Sequence, residues 1–187
     1  MIRSVRLCFA HSLQVKGART IEFSGGMNVV AGPNGSGKST LLRALNTCER
    51  CEIRRAGGAP VRYFSAETMN PHHPTGPAGD MQEMILRVRG VFTSHGEIMR
   101  SALAAVPLRE GETLLVDEPE AGQDLEGVKR IREAFDVLCA RGGQVIAATH
   151  HPVLMEGVKV IELVPGYVGR MRAECRRWLG EDADRSS

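Results

Sequence analysis

Gly32-Pro-Asn-Gly-Ser-Gly-Lys-Ser-Thr40 follows a short apolar run, 27–31, and opens a segment, 38–50, in which Leu41, Leu42 and Leu45 share one helical face. A strand that ends in a glycine-rich turn and passes at once into a helix is the setting in which this pattern cradles phosphate. Gly32, Gly35 and Gly37 let the backbone fold into a nest of inward-pointing N–H groups. Pro33, Asn34, Ser36 and Thr40 complete the run of candidate phosphate contacts. The helix that begins near Lys38 adds the positive end of its dipole to the same anion site. Lys38 suits the β- and γ-phosphates of a nucleotide, and the Ser39 hydroxyl suits a Mg²⁺ ion.

Working outward, Thr113-Leu-Leu-Val-Asp-Glu118 is a buried-strand pattern that delivers two adjacent carboxylates. In a parallel sheet the carboxyl ends of strands are where ligands bind. Asp117 suits the hold on Mg²⁺, and Glu118 suits the base that orients and deprotonates an attacking water. Further strands are expected at 4–9, 19–23, 61–65, 144–148 and 158–164, with helices at 96–106, 125–140 and 167–179. Prolines, glycines and histidines crowd 67–80, which reads as a long, mobile loop. Short apolar strands alternating with helices predict an α/β fold with a largely parallel sheet. The alternating segments before Met27 predict an added antiparallel layer.

With 187 residues, 42% hydrophobic and 25% charged, the chain fits one soluble domain over 1–187. A net charge of +2 implies neither nucleic acid nor membrane binding by itself, although nucleic acid stays open. No apolar run approaches the roughly 18 residues of a membrane span, so no membrane insertion is expected and the cytoplasm is the expected location. The five cysteines read as small core hydrophobes. Cys48 and Cys51 form a lone Cys-x-x-Cys that His72 and His73 could complete as a zinc site, but no second such pair or spaced histidine pair accompanies it. The helix within 166–180 is basic, carrying Arg170, Arg172, Arg176 and Arg177 beside Met171 and Trp178; a solvated face is its simplest reading and a partner surface the alternative.

Asp117-Glu-Pro-Glu-Ala-Gly-Gln-Asp124 resembles the Walker B and D-loop of ABC-class P-loop ATPases, and Ala148-Thr-His-His-Pro152 resembles their switch-histidine segment. That resemblance covers 4 to about 164. It implies an ATPase that uses ATP and Mg²⁺ and dimerises head to tail around ATP. It also implies that His150 contacts the γ-phosphate and that Asp124 bridges to the partner subunit. Catalysis would then rest on Glu118, His150 and Lys38.

The departures from the family pattern shape the rest. A Leu-Ser-Gly-Gly-Gln signature is absent, and Phe92-Thr-Ser-His-Gly-Glu97 is its best substitute, similar to the signatures of SMC-like and overcoming-lysogenization-defect-like ATPases. The resemblance then implies that Ser94 and Gly96 clamp the γ-phosphate held by the opposite subunit; a plain helix N-cap at Ser94 is the alternative. The family's Q-loop glutamine has no match, and Glu67 is the candidate in its place, reaching the metal or its water; a surface carboxylate at a loop start is the alternative. Phe9 and His11 are the aromatic candidates for adenine stacking. The stretch between Lys38 and Ser94 is short for a transporter subunit. A soluble ATPase that switches a separate protein partner is therefore the first expectation, and the nucleotide-binding subunit of an ABC transporter the alternative.

Overall fold

The structure, a computed structural model, describes residues 1–65 and 109–179. Five strands form a wholly parallel sheet: β3 (Met27–Ala31), β5 (Val61–Ser65), β6 (Thr113–Asp117), β7 (Gln144–Ala148) and β8 (Lys159–Glu162), in the order β5-β6-β7-β3-β8. Every residue of β3, β6 and β7 is buried, as strands covered on both faces must be.

Side chains alternate across this sheet and so feed two cores. Val29, Leu114, Val116, Val145 and Ala147 face α3 (Leu125–Ala140), whose Val128, Ile131, Phe135 and Leu138 lie against them. Val30, Leu115, Ile146 and Ala148 face the other way, toward α2 (Lys38–Thr47) with its buried Leu41, Leu42 and Leu45. That second core is closed by an antiparallel sheet of order β2-β1-β4, made of β1 (Ile2–Arg6), β2 (Thr20–Glu22) and β4 (Glu52–Arg55). Ile2, Val5, Ile21 and Phe23 are its contribution. The expected antiparallel layer is thus present. It carries one strand, β4, that the sequence reading passed over, together with a single helical turn, α1 (Phe9–Ser12).

Buried Gln144 ties the two sheets together. Its Nε2 donates to the carbonyls of Ile2 and Ser24 at 2.8 and 2.7 Å, and its Oε1 accepts from Ile2 N and Thr113 Oγ1 at 2.7 and 2.8 Å. All four bonding positions of the amide are used, which is what a buried amide requires. The chain ends its described course in α4 (Tyr167–Leu179), which buries only Val168 and leaves Trp178 and Leu179 exposed. Among the described residues no helix is long and apolar enough to cross a membrane. The expected loop at 67–80, the helix at 96–106, and with them Glu67, Ser94 and Gly96, lie outside the described residues.

Candidate nucleotide site

Because the sheet is parallel, the carboxyl ends of β5, β6, β7 and β3 share one edge. The glycine-rich loop leaves β3, His150 follows β7 and the Asp117–Glu118 pair ends β6. Three of the sequence-predicted groups therefore stand on three adjacent strands.

The loop has the conformation its glycines were expected to allow. Gly35 and Gly37 take positive φ, 73° and 94°, and a Cβ on Gly37 would sit 2.5 Å from the Gln14 carbonyl and 2.7 Å from Val15 Cα. Those atoms are backbone and cannot give way, so only glycine fits there. A Cβ on Gly32 would meet Ser36 Oγ at 2.5 Å. Ser36 itself is fully buried and its Oγ has no hydrogen-bond partner. Gly37 caps α2 without any side chain to satisfy the helix's first N–H groups. Open donors at a helix start, an orphaned buried hydroxyl and a nest that a Cβ would fill are the marks of an anion cradle. Lys38 is buried, and its Nζ donates to the carbonyls of Gly32 at 2.9 Å and Pro33 at 3.3 Å. Its charge therefore sits inside the loop, where phosphate oxygens would be held. Asn34 and Gly35 are exposed at the loop's tip, while Ser39 and Thr40 are half-buried in the first turn of α2.

Ser39 Oγ donates to Asp117 Oδ1 at 3.1 Å, joining the loop's helix to the end of β6. The other carboxylate oxygen, Oδ2, accepts from the Tyr63 hydroxyl at 3.2 Å. Burial pushes the Asp117 carboxyl up; hydrogen bonds from Ser39 and Tyr63 pull it back, and the neighbouring Glu118 charge adds to the rise. Burial, and then Asp117, push the Tyr63 phenol up as well. A hydroxyl and a carboxylate oxygen side by side are hard oxygen donors of the kind Mg²⁺ takes, one or two carboxylates serving alongside substrate phosphate. The residues present fit that ion.

Glu118 follows, half-buried, with φ of 50°. Among the described residues it is the one non-glycine in the left-handed region. Such a conformation needs surrounding structure to hold it, and here Glu118 N donates to the Ala148 carbonyl at 2.9 Å across the β6–β7 boundary. His150 is half exposed at 49% of its side chain, with Nδ1 3.7 Å from Glu120 Oε1. Asp124 is exposed and accepts from Gly127 N at 2.7 Å as the N-cap of α3. Its position thus has a structural use within its own chain.

Two site residues had no part in the sequence reading. Tyr63 holds Asp117 from the adjacent strand, and its place becomes visible only once β5 is known to lie beside β6. Glu120 is buried, and its Oε1 accepts from Thr149 Oγ1 at 2.6 Å and from His150 N at 3.0 Å. It fixes the chain at Thr149 and at the amide of His150. A third acid two positions after Glu118 was the available signal.

Residues 7–59 match the family model described as "AAA domain", and residues 100–156 match "AAA domain, putative AbiEii toxin, Type IV TA system". The cytochrome c biogenesis ATP-binding export protein CcmA of Novosphingobium aromaticivorans is 30% identical over 185 residues, covering 86% of this chain and 90% of that protein. The CcmA of Mesorhizobium japonicum is 30% identical over 164 residues, covering 71% of this chain and 82% of that one. Among solved structures, a "Putative ABC transporter (ATP-binding protein)" from Pyrococcus furiosus superposes with a TM-score of 0.60 at 20% identity, covering 87% of this chain and 96% of that one. These curated relatives are export proteins rather than SMC-like ones, which redirects the comparison first drawn from Ser94 and Gly96. A relative 30% identical across 86% of the chain carries the family with it, and the chain belongs to the ABC class of P-loop ATPases.

Proposed function

We propose that the chain, as one ATP-binding domain, hydrolyses Mg·ATP as a head-to-tail dimer and passes the resulting motion to a partner protein. The observation that carries this is the Ser39–Asp117 contact, which brings a hard oxygen pair against a phosphate cradle already loaded with the Lys38 charge. In this reading the nest and Lys38 hold the β- and γ-phosphates, Ser39 and Asp117 hold Mg²⁺, and Glu67 reaches the metal or its water. Glu118 takes the proton of the attacking water, and His150 orients on the γ-phosphate. Ser94 and Gly96 of the opposite subunit cover that phosphate with a helix start, and Asp124 meets the partner subunit.

The partner reading that the relatives support is the membrane component of an exporter, with this chain as its ATP-binding subunit. The shortness of the stretch between Lys38 and Ser94 does not oppose it, because the chain spans 90% of one CcmA export protein's length. A soluble partner in the cytoplasm is the second reading; the family description matched at 100–156 names a toxin–antitoxin system and no exporter. Co-purification from detergent-solubilised membranes against the soluble fraction separates the two.

The catalytic assignment is tested by phosphate release and nucleotide binding. Glu118→Gln is expected to keep Mg·ATP affinity, lose turnover by roughly a hundredfold or more, and accumulate as an ATP-bound dimer. Lys38→Ala is expected to lose nucleotide affinity itself. Wild-type turnover in Glu118→Gln would overturn the role of that residue.

A further inference from the structure

We propose that Cys8, His11, Cys48 and Cys51 form a structural zinc site that fastens the far end of the phosphate-loop helix to the N-terminal segment. The four side chains offer three sulfurs and one imidazole nitrogen, and these atoms all lie within 4.8 Å of one another. His11 Nδ1 is 3.1 Å from Cys8 Sγ and 3.6 Å from Cys51 Sγ. Zinc held tetrahedrally at Zn–S of about 2.3 Å and Zn–N of about 2.0 Å needs S···N separations of about 3.5 Å. The observed pair brackets that value.

The donors come as two short-spaced pairs, Cys8-x-x-His11 and Cys48-x-x-Cys51, each placed by a secondary-structure terminus. Cys8 is the N-cap of α1, with His11 one turn later, and Cys48 is the C-cap of α2. The antiparallel pairing of β1 with β4 sets Arg6 opposite Glu52, and continuing that register past both ends brings the two pairs together. Cys8 N also points at Cys51 Sγ, 3.4 Å away; a backbone N–H aimed at a sulfur supports its thiolate form and orients it as a ligand. Cys51 is buried, and the other three are half-buried. Cys₃His is a set typical of closed structural zinc, with no position left for substrate. The remaining cysteines stand elsewhere, Cys139 at the end of α3 and Cys175 exposed on α4.

The site has a mechanical meaning. The segment that leaves α1 packs directly on the phosphate loop, with Lys16 N donating to the Ser36 carbonyl at 3.0 Å. Zinc would clamp that segment and α2 together at the end opposite the phosphates. Metal content reads this site independently of ATP binding or turnover.

Tag-free protein, purified under reducing conditions without chelator from zinc-supplemented cells, is analysed for metal by mass spectrometry. One zinc per chain is expected in the wild type and in Cys139→Ser. Bound zinc is expected to fall by roughly tenfold or more in the double variant Cys48→Ser, Cys51→Ser. Should that variant fail to fold, Co²⁺ titration of zinc-stripped, reduced wild type decides. Tetrahedral visible bands with thiolate charge transfer, lost on adding Zn²⁺, support the site. Zinc-free wild type without cobalt bands, zinc retained by the double variant, or a disulfide among these cysteines in place of metal would each overturn it.

Discussion

At the scale of single residues, Asp117 is where function and stability pull apart. Burial raises its carboxyl, so the protonated form is the one the fold prefers. The stability this group contributes is complete below the ordinary unfolded value of about 3.9 and is lost as pH rises through the raised folded value. At neutral pH, without metal, the ionised side chain is therefore a cost. Asp117→Asn removes the charge, keeps one oxygen to accept from one of the Ser39 and Tyr63 hydroxyls, and turns an N–H toward the other, which can rotate to accept it. Its Tm in chelator at neutral pH is expected to exceed wild type by a few degrees, with the gap closing as pH falls through the raised value. Calorimetry across pH checks this, and a lower Tm for the variant at neutral pH would contradict it. Mg²⁺-dependent turnover should be lost in the same protein.

At the scale of elements, α3 begins on Asp124, whose Oδ1 accepts from Gly127 N. Loss of such a cap costs about 1 kcal/mol, which for a chain of this size is roughly 2–4 °C in Tm. Asp124→Ala should show that fall, whereas Asp124→Asn should keep its Tm. If the carboxylate also bridges to a second subunit, Asp124→Asn will lose turnover while remaining stable, and unchanged turnover would confine the residue to capping. Elements were legible in the sequence where burial itself wrote the pattern. The spans of β3, β7 and α3 agree with their apolar patterns, whereas α4, read as a basic helix, buries only Val168. By contrast β4, Glu-Ile-Arg-Arg, is largely exposed; it is a strand because β1 pairs with it, and no property of those four residues says so. The same pairing hid the Cys8–His11 and Cys48–Cys51 cluster, since each pair looks isolated until the register is known. The phosphate loop was readable because its chemistry is local, whereas Tyr63 and Glu120 act across strands.

At the scale of the whole molecule, Gln144 is the rivet between the two sheets. Gln144→Leu would take the acceptor from the Ile2 N–H and the Thr113 hydroxyl and a donor from the Ile2 carbonyl, while Ser24 O keeps its bond from Asn28 Nδ2; the loss is expected at about 3 kcal/mol or more. Urea denaturation measures it, and a change under about 1 kcal/mol would mean that the sheets hold together without the rivet. The proposed head-to-tail dimer makes a second prediction at this scale. Ser94→Arg and Lys38→Ala should each be inactive alone. Mixed, they should recover activity, because one composite site then has both its Lys38 and the opposing Ser94 intact. Failure of the mixture, or full turnover by Ser94→Arg alone, would count against sites shared between subunits.

One contact has a consequence for how such a machine could be adjusted. A single oxygen, Glu120 Oε1, accepts from both Thr149 Oγ1 and His150 N, so the chain after β6 and the chain after β7 turn as one wheel. A neighbour pressing on 120–124 would swing His150 through that tooth, the buried Glu120 oxygen. Geared parts share their slack. A substitution that loosened the bearing on one side would loosen the histidine as well, and neither could drift in sequence without the other.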